Sequence, residues 1–160
     1  MLGARTSGKG HMLTANMSKI SALIEQLLAT VPIADLTDVV VFGSAAITLN
    51  GTDLDRSVDD LDLFASDETF ARLRARRGTD EVEKKPGLFF LSVGIPKVEI
   101  WKTFPGVTHS EARDNARVLE GSHGLLVAAL EELYAWKSAQ PGEKHLNDLK
   151  RMRCAANQHI

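Results

Sequence analysis

Two aspartates one residue apart, Asp60 and Asp62, stand in the otherwise apolar run VDDLDLF. If residues 58–64 form a strand, side chains alternate between its faces, and these two carboxylates share one face about 6–7 Å apart. Like charges at that separation repel unless a positive group sits between them. A divalent cation is the usual remedy, and Mg²⁺ or Mn²⁺ takes oxygen ligands from one or two carboxylates plus a substrate's phosphates. Glu99, inside a later apolar run (VEIW), supplies a third acid that could meet the pair across a sheet. About sixteen residues before Asp60, Gly43-Ser44 follows the apolar stretch Val39 to Phe42. A strand, a glycine and a helix start leave free backbone N–H groups at a positive helix end, which is a seat for phosphate. The Ser44 hydroxyl could add one more donor. Phosphate seat, acid pair and later in-strand acid, in that order, describe a metal-dependent phosphoryl or nucleotidyl transfer site. It is not a P-loop, because no G-x-x-x-x-G-K-[ST] occurs. The plain alternative is that Asp60 and Asp62 form a solvated strand edge.

These residues need a frame. Apolar spacing over Ile20, Leu23, Ile24, Leu27 and Leu28 predicts a helix from Ser18 to about Ala29. Residues 39–42 are β-branched and aromatic, a short strand buried on both sides. A short helix over 45–49 closes at Asn50-Gly51, and 58–64 is the second strand. Asp67 could cap a helix over Phe70 and Leu73. Pro86-Gly87 turns a hairpin whose second arm is LFFLSV. Residues 95–102 make another strand, and 111–116, 131–138 and 144–156 read as helices, with short extended pieces at 118–120 and 125–127. The expected fold class is α/β (α+β): a small mixed β-sheet with flanking helices and C-terminal helices.

The chain has 160 residues, which fits one domain over 16–160 preceded by a disordered or cloning-derived tail over 1–15. With 19 basic and 21 acidic residues, the net charge of -2 gives no global pull toward nucleic acid. One cysteine, Cys154, excludes an intrachain disulfide and fits a reducing, cytoplasmic setting. No apolar run is long enough to span a membrane.

Further cations invite weighing. Arg56, Lys137 and Lys144 could each contact a nucleotide's phosphates. Lys137 follows Leu130, Leu133 and Tyr134, so it lies near an apolar face. Lys144 opens a helix, an unfavourable place for a cation without a partner such as Asp148 or a phosphate. Arg72, Arg74, Arg76 and Arg77 form a basic run that could meet RNA phosphates, with Asp80, Glu81 and Glu83 as local partners. Trp101 and Trp136 could stack on a base or pack in the core.

The segments FGSAAITLNG, RSVDDLDLF and VEIW resemble the nucleotidyltransferase superfamily that includes DNA polymerase beta, and within it the AbiEii-type and related small bacterial nucleotidyltransferases. The resemblance covers residues 38–101 and, more loosely, 125–150. It implies a phosphate turn at Gly43 and Ser44, a later glycine at Gly51 and an arginine at Arg56. It also implies metal-binding and catalytic acids at Asp60, Asp62 and Glu99. Val58 stands where a threonine is frequent. In the C-terminal motif, Lys137, Lys144 and Asp148 match, whereas His145 replaces an aspartate. The implied activity is transfer of a nucleoside monophosphate from an NTP, with Mg²⁺ or Mn²⁺, to an acceptor. RNA, such as the tRNA 3′ end in a toxin–antitoxin system, is the first expectation. A small hydroxylated compound of antibiotic type is the second. A non-catalytic, nucleotide-binding or antitoxin-like partner protein is the third.

Overall fold

The computed structural model describes the backbone of residues 2–158 and the side chains of residues 12–154. Seven strands form one sheet in the order β3-β4-β5-β2-β1-β7-β6. Its centre is β1 (Val40–Phe42), β2 (Leu61–Phe64) and β5 (Val98–Trp101). The strand β2 runs antiparallel to β1 and parallel to β5. On one side the hairpin β3 (Asp80–Lys85) and β4 (Leu88–Ser92) extends the sheet; on the other, β7 (Leu126–Val127) and β6 (Arg117–Val118) close it.

Helix α1 (Leu2–Thr30) buries Ile20, Ile24 and Leu27, the stripe anticipated from spacing. The expectation of a tail over residues 1–15 falls mostly on side chains outside the described residues. The next helix, α2 (Gly43–Leu49), starts directly at the end of β1, two residues earlier than the sequence pattern implied. Helices α3 (Asp67–Arg74), α4 (His109–Asp114), α5 (Leu130–Ser138) and α6 (Glu143–Gln158) complete the chain. The cap of α3 is Ser66, not Asp67: its hydroxyl accepts from the Thr69 N–H and donates to Asp38.

The central strands explain where the chemistry sits. Register pairs Phe42 with Asp62 and Asp62 with Glu99, so all three stand side by side on one face. Two residues along, the same face carries Phe64 and Trp101. Phe42, Phe64, Phe104 and Trp136 pack there with ring centroids 4.4–5.6 Å apart, edge to face except for the tilted Phe42–Phe104 pair. The opposite face holds Val41, Leu61, Leu63, Val98 and Ile100, all buried. The carboxylates thus mark the end of an aromatic face, held on rigid strands at the sheet centre. Both tryptophans belong to that packing. Among the described residues no helix is long and apolar enough to cross a membrane.

Candidate active site

Strand pairing fixes Asp62 and Glu99 as neighbours; it does not reach Asp60. The ladder begins where the Leu61 N–H donates to the Lys97 carbonyl (2.8 Å), so β2 starts at Leu61 rather than Val58. Asp60 therefore sits exposed on the preceding loop, where strand alternation does not govern its direction. That loop is anchored from α1. The buried Asn16 amide donates to the Arg56 carbonyl (2.8 Å) and accepts from the Val58 N–H (3.0 Å), and Lys19 reaches Ser57 and Asp59. Among the described residues no three carboxylates, imidazoles or thiols are grouped closely enough to hold an ion. The expected meeting of three acids is here a pair, Asp62 and Glu99, with Asp60 two residues upstream.

Asp62 carries the electrostatic signature of the site. Burial, then the Glu99 charge and that of Asp60, push its carboxyl up to about 7, against a smaller opposing pull from Lys84. Glu99 is the better compensated acid. Lys84 donates to both its oxygens (3.0 and 3.2 Å), and the Trp101 indole N–H lies 3.2 Å from Oε1.

Gly43 has a physical reason to be glycine. Its φ is +63°, and a Cβ there would stand 2.8 Å from Asp62 Oδ2. The bare turn lets the start of α2 press against the carboxylate. Two adjacent carboxylates, a turn kept free of side chain and an all-oxygen donor set fit Mg²⁺ or Mn²⁺. Asp62 and Glu99 would hold it, with phosphate oxygens filling the remaining positions.

The cations expected at the phosphates are arranged differently. Arg56 donates through Nη2 to Ser44 Oγ (2.7 Å) and grips Asp148 with both Nε (3.1 Å) and Nη2 (2.7 Å). Because Ser44 Oγ accepts from Arg56, its own proton stays available for a phosphate oxygen. Lys137 is 1 % exposed and pairs with Asp148 at 2.7 Å, so it braces Arg56 from behind instead of facing solvent. The expectation of a phosphate contact meets a side chain that an apolar helix face carries into the core, where Asp148 neutralises it. Burial lowers the Lys137 ammonium, while bonds to Asp148 work against that. Burial also acts to raise Asp148, but hydrogen bonds from Arg56 and Lys137 prevail and hold it below the ordinary carboxylate range. His145 Nδ1 lies 3.1 Å from Lys137 Nζ. An ammonium has no lone pair, so the ring must be the acceptor, neutral and protonated on Nε2. Burial and the Lys137 charge lower its pKa to match. The histidine thus serves Lys137 as an acceptor, a task an aspartate could also perform.

Lys144 stays exposed and lines a recess of about 430 Å³ with Arg56, Asn147, Lys150 and Arg151. Asp148 takes its ion pairs from Arg56 and Lys137, not from Lys144.

A solved structure similar to this chain is the crystal structure of ANT(2")-Ia in complex with adenylyl-2"-tobramycin. It is 18% identical, with 87% of this chain and 90% of that chain covered at a TM-score of 0.52. The fold is nucleotidyltransferase-like. No family model matches the sequence, and no curated protein matches it. An AbiEii-type affiliation is therefore not carried by any of these comparisons.

Within this fold, Arg72 and Arg76 of the basic run are engaged. Arg72 donates to the Asp35 carbonyl, Arg76 to the Thr30 carbonyl (2.8 Å) and the Asp35 carboxylate (3.3 Å), and Arg74 lies 4.0 Å from Glu81. These arginines tie α3 to the end of α1 and to the hairpin. Sequence reasoning missed two residues that shape the site, Asn16 and Lys84, and gave Asp148 to Lys144 rather than to Arg56 and Lys137. Only Asp148 left a signal, its place one helical turn after Lys144.

Proposed function

We propose that this protein transfers a nucleoside monophosphate from an NTP to a hydroxyl of a small acceptor, with Mg²⁺ or Mn²⁺. The observation that carries this reading is the Asp62–Glu99 pair pressed against the side-chain-free turn at Gly43. The similarity to a structure holding adenylyl-2"-tobramycin supports a small hydroxylated acceptor over RNA. The engagement of Arg72 and Arg76 within the fold weakens the RNA reading further.

In this proposal the triphosphate lies along Gly43 and Ser44, with the Ser44 hydroxyl donating and Arg56 fixing its direction. The ion, when bound, offsets charge on the phosphates and on the entering and leaving oxygens. Glu99 takes the proton from the acceptor hydroxyl as its oxygen attacks the α-phosphorus. The bond to the bridging oxygen breaks and pyrophosphate leaves. No side chain of this chain needs to act as a nucleophile.

The test incubates the full chain with each labelled NTP, Mg²⁺ or Mn²⁺, and separate acceptor sets: aminoglycosides and lincosamides, tRNA, and proteins. Asp62→Asn is the dead control. Label on a small hydroxylated compound is expected. Label on tRNA alone would restore the toxin-type reading. No product with any acceptor, together with intact NTP binding, would favour a non-catalytic nucleotide-binding or partner protein. That second reading is motivated by the Lys84 ammonium standing on Glu99.

A further inference from the structure

Lys84 occupies an unusual place for a residue of an edge strand. The hairpin register pairs Val82 with Phe90 and Glu83 with Phe89, then resumes with Lys85 opposite Leu88. Lys84 is the residue left over at that irregularity, a bulge. Bulges re-aim a side chain, and this one sends Lys84 across the whole width of β4 to the Glu99 carboxylate on β5. The ammonium lies 5.9 Å from the Phe90 centroid and 5.7 Å from that of Trp101, a bed of two aromatic faces. The turn beyond the bulge is closed by its own bond, from the Gly87 N–H to Glu83 Oε2 (3.0 Å). The arrangement is built from four residues on three strands, and its end point is the acid assigned above to the ion and to the acceptor's proton.

We infer that Lys84 is an internal counter-ion that must leave Glu99 before a divalent ion can occupy the site, so that this residue sets the site's affinity for metal. The inference rests on the proposed metal-dependent reading. Both Glu99 oxygens are engaged by one ammonium, and a cation of charge two cannot share them closely with a cation of charge one. Lys84 is suited to departing. Its side chain is 46% exposed, so the pair is a partly solvated one of small net worth. Its stem is long and flexible, so the ammonium can swing to water while the stem stays packed. Holding the ammonium there also offsets part of the repulsion between Asp62 and Glu99 when no ion is present, an opposing charge that Asp62 senses.

The experiment titrates Mn²⁺ alone into the full chain, read by water-proton relaxation, for the wild type, Lys84→Met, Lys84→Arg, Asp62→Asn and Glu99→Gln. Lys84→Met is expected to bind Mn²⁺ at least about five-fold more tightly at low ionic strength, with the gap narrowing as salt screens the competing charge. Lys84→Arg keeps the competitor and should stay near the wild type. Mg²⁺ titration followed by tryptophan emission gives a second readout. The wild type should show a change as the ammonium leaves the Trp101 face, and Lys84→Met should not. Unchanged or weaker Mn²⁺ binding by Lys84→Met, with Asp62→Asn still abolishing binding, would overturn the role of Lys84 and leave the proposed function standing. Mn²⁺ binding indifferent to both Asp62→Asn and Glu99→Gln would remove the metal site itself, and both readings with it.

Discussion

Replacing Asp62 by Asn should make the metal-free protein more stable, and increasingly so as pH rises. The carboxyl of Asp62 ordinarily titrates near 3.8 and is pushed up to about 7 in the fold. Between those values the folded chain holds a proton that the unfolded chain has lost. Stability therefore falls as pH rises through that window, by at most about 1.4 kcal/mol per pH unit, and levels off above it. The whole window corresponds to a ceiling of about 4 kcal/mol. Asp62 retains some solvent contact, so about half of that is expected at pH 8. For a domain of this size, 1 kcal/mol moves the melting temperature by about 2–4 °C.

Asp62→Asn should thus melt about 4–8 °C above the wild type near pH 8 in the presence of a chelator. Near pH 3 the difference should nearly vanish, because the wild-type carboxyl is then protonated in the fold and largely so when unfolded. Addition of Mn²⁺ should raise the wild-type melting temperature and leave the variant unmoved. Thermal melts across this pH series decide the matter. A variant no more stable than the wild type at pH 8, or a difference independent of pH, would refute the claim that Asp62 is a strained, ion-ready carboxylate.

Three further outcomes are expected. Gly43→Ala should lose about 2–3 kcal/mol in chemical denaturation, because alanine at φ +63° is strained and its Cβ collides with Asp62; NTP binding measured by calorimetry should fall with it. Lys137→Met should cost about 3–5 kcal/mol, since it breaks a buried pair and leaves Asp148 leaning on Arg56 alone. Asn16→Ala should cost about 1–3 kcal/mol by stranding the Arg56 carbonyl and the Val58 N–H, and transfer activity should drop as the loop carrying Asp60 loosens.

The sequence made the centre of this site readable because local rules govern it. Gly43 follows a run of buried β residues, and the acids Asp62 and Glu99 interrupt two others. Alternation and parallel register then suffice to bring those acids together. Asp60 was placed differently for a reason the pattern could not reveal. The apolar alternation of VDDLDLF is the same whether pairing starts at Val58 or at Leu61, and the deciding bond comes from Lys97, thirty-six residues beyond Leu61. The arginine run had the same blind spot: its partners, Asp35 and Thr30, belong to an earlier part of the chain.

The cations tell the same story with greater consequence. A lysine, an arginine or another lysine near a phosphate turn reads alike in sequence. In the fold, Lys137 is a buried strut, Arg56 a director of the Ser44 hydroxyl, and Lys144 a solvent-facing wall. What sorts them is the position of one carboxylate, Asp148, which satisfies two of them and leaves the third free. Positive charge at the Gly43-Ser44 turn is therefore delivered indirectly. Lys137 holds Asp148, Asp148 holds Arg56, and Arg56 donates to the Ser44 hydroxyl. Charge delivered through such a chain depends on geometry, so substituting Arg56 by lysine, which keeps the charge but lacks the fork that spans Asp148 and Ser44, should weaken nucleotide binding nearly as much as substitution by methionine. Nucleotide affinity that survives Arg56→Lys but not Arg56→Met would show that charge alone suffices and that the chain through Asp148 is dispensable.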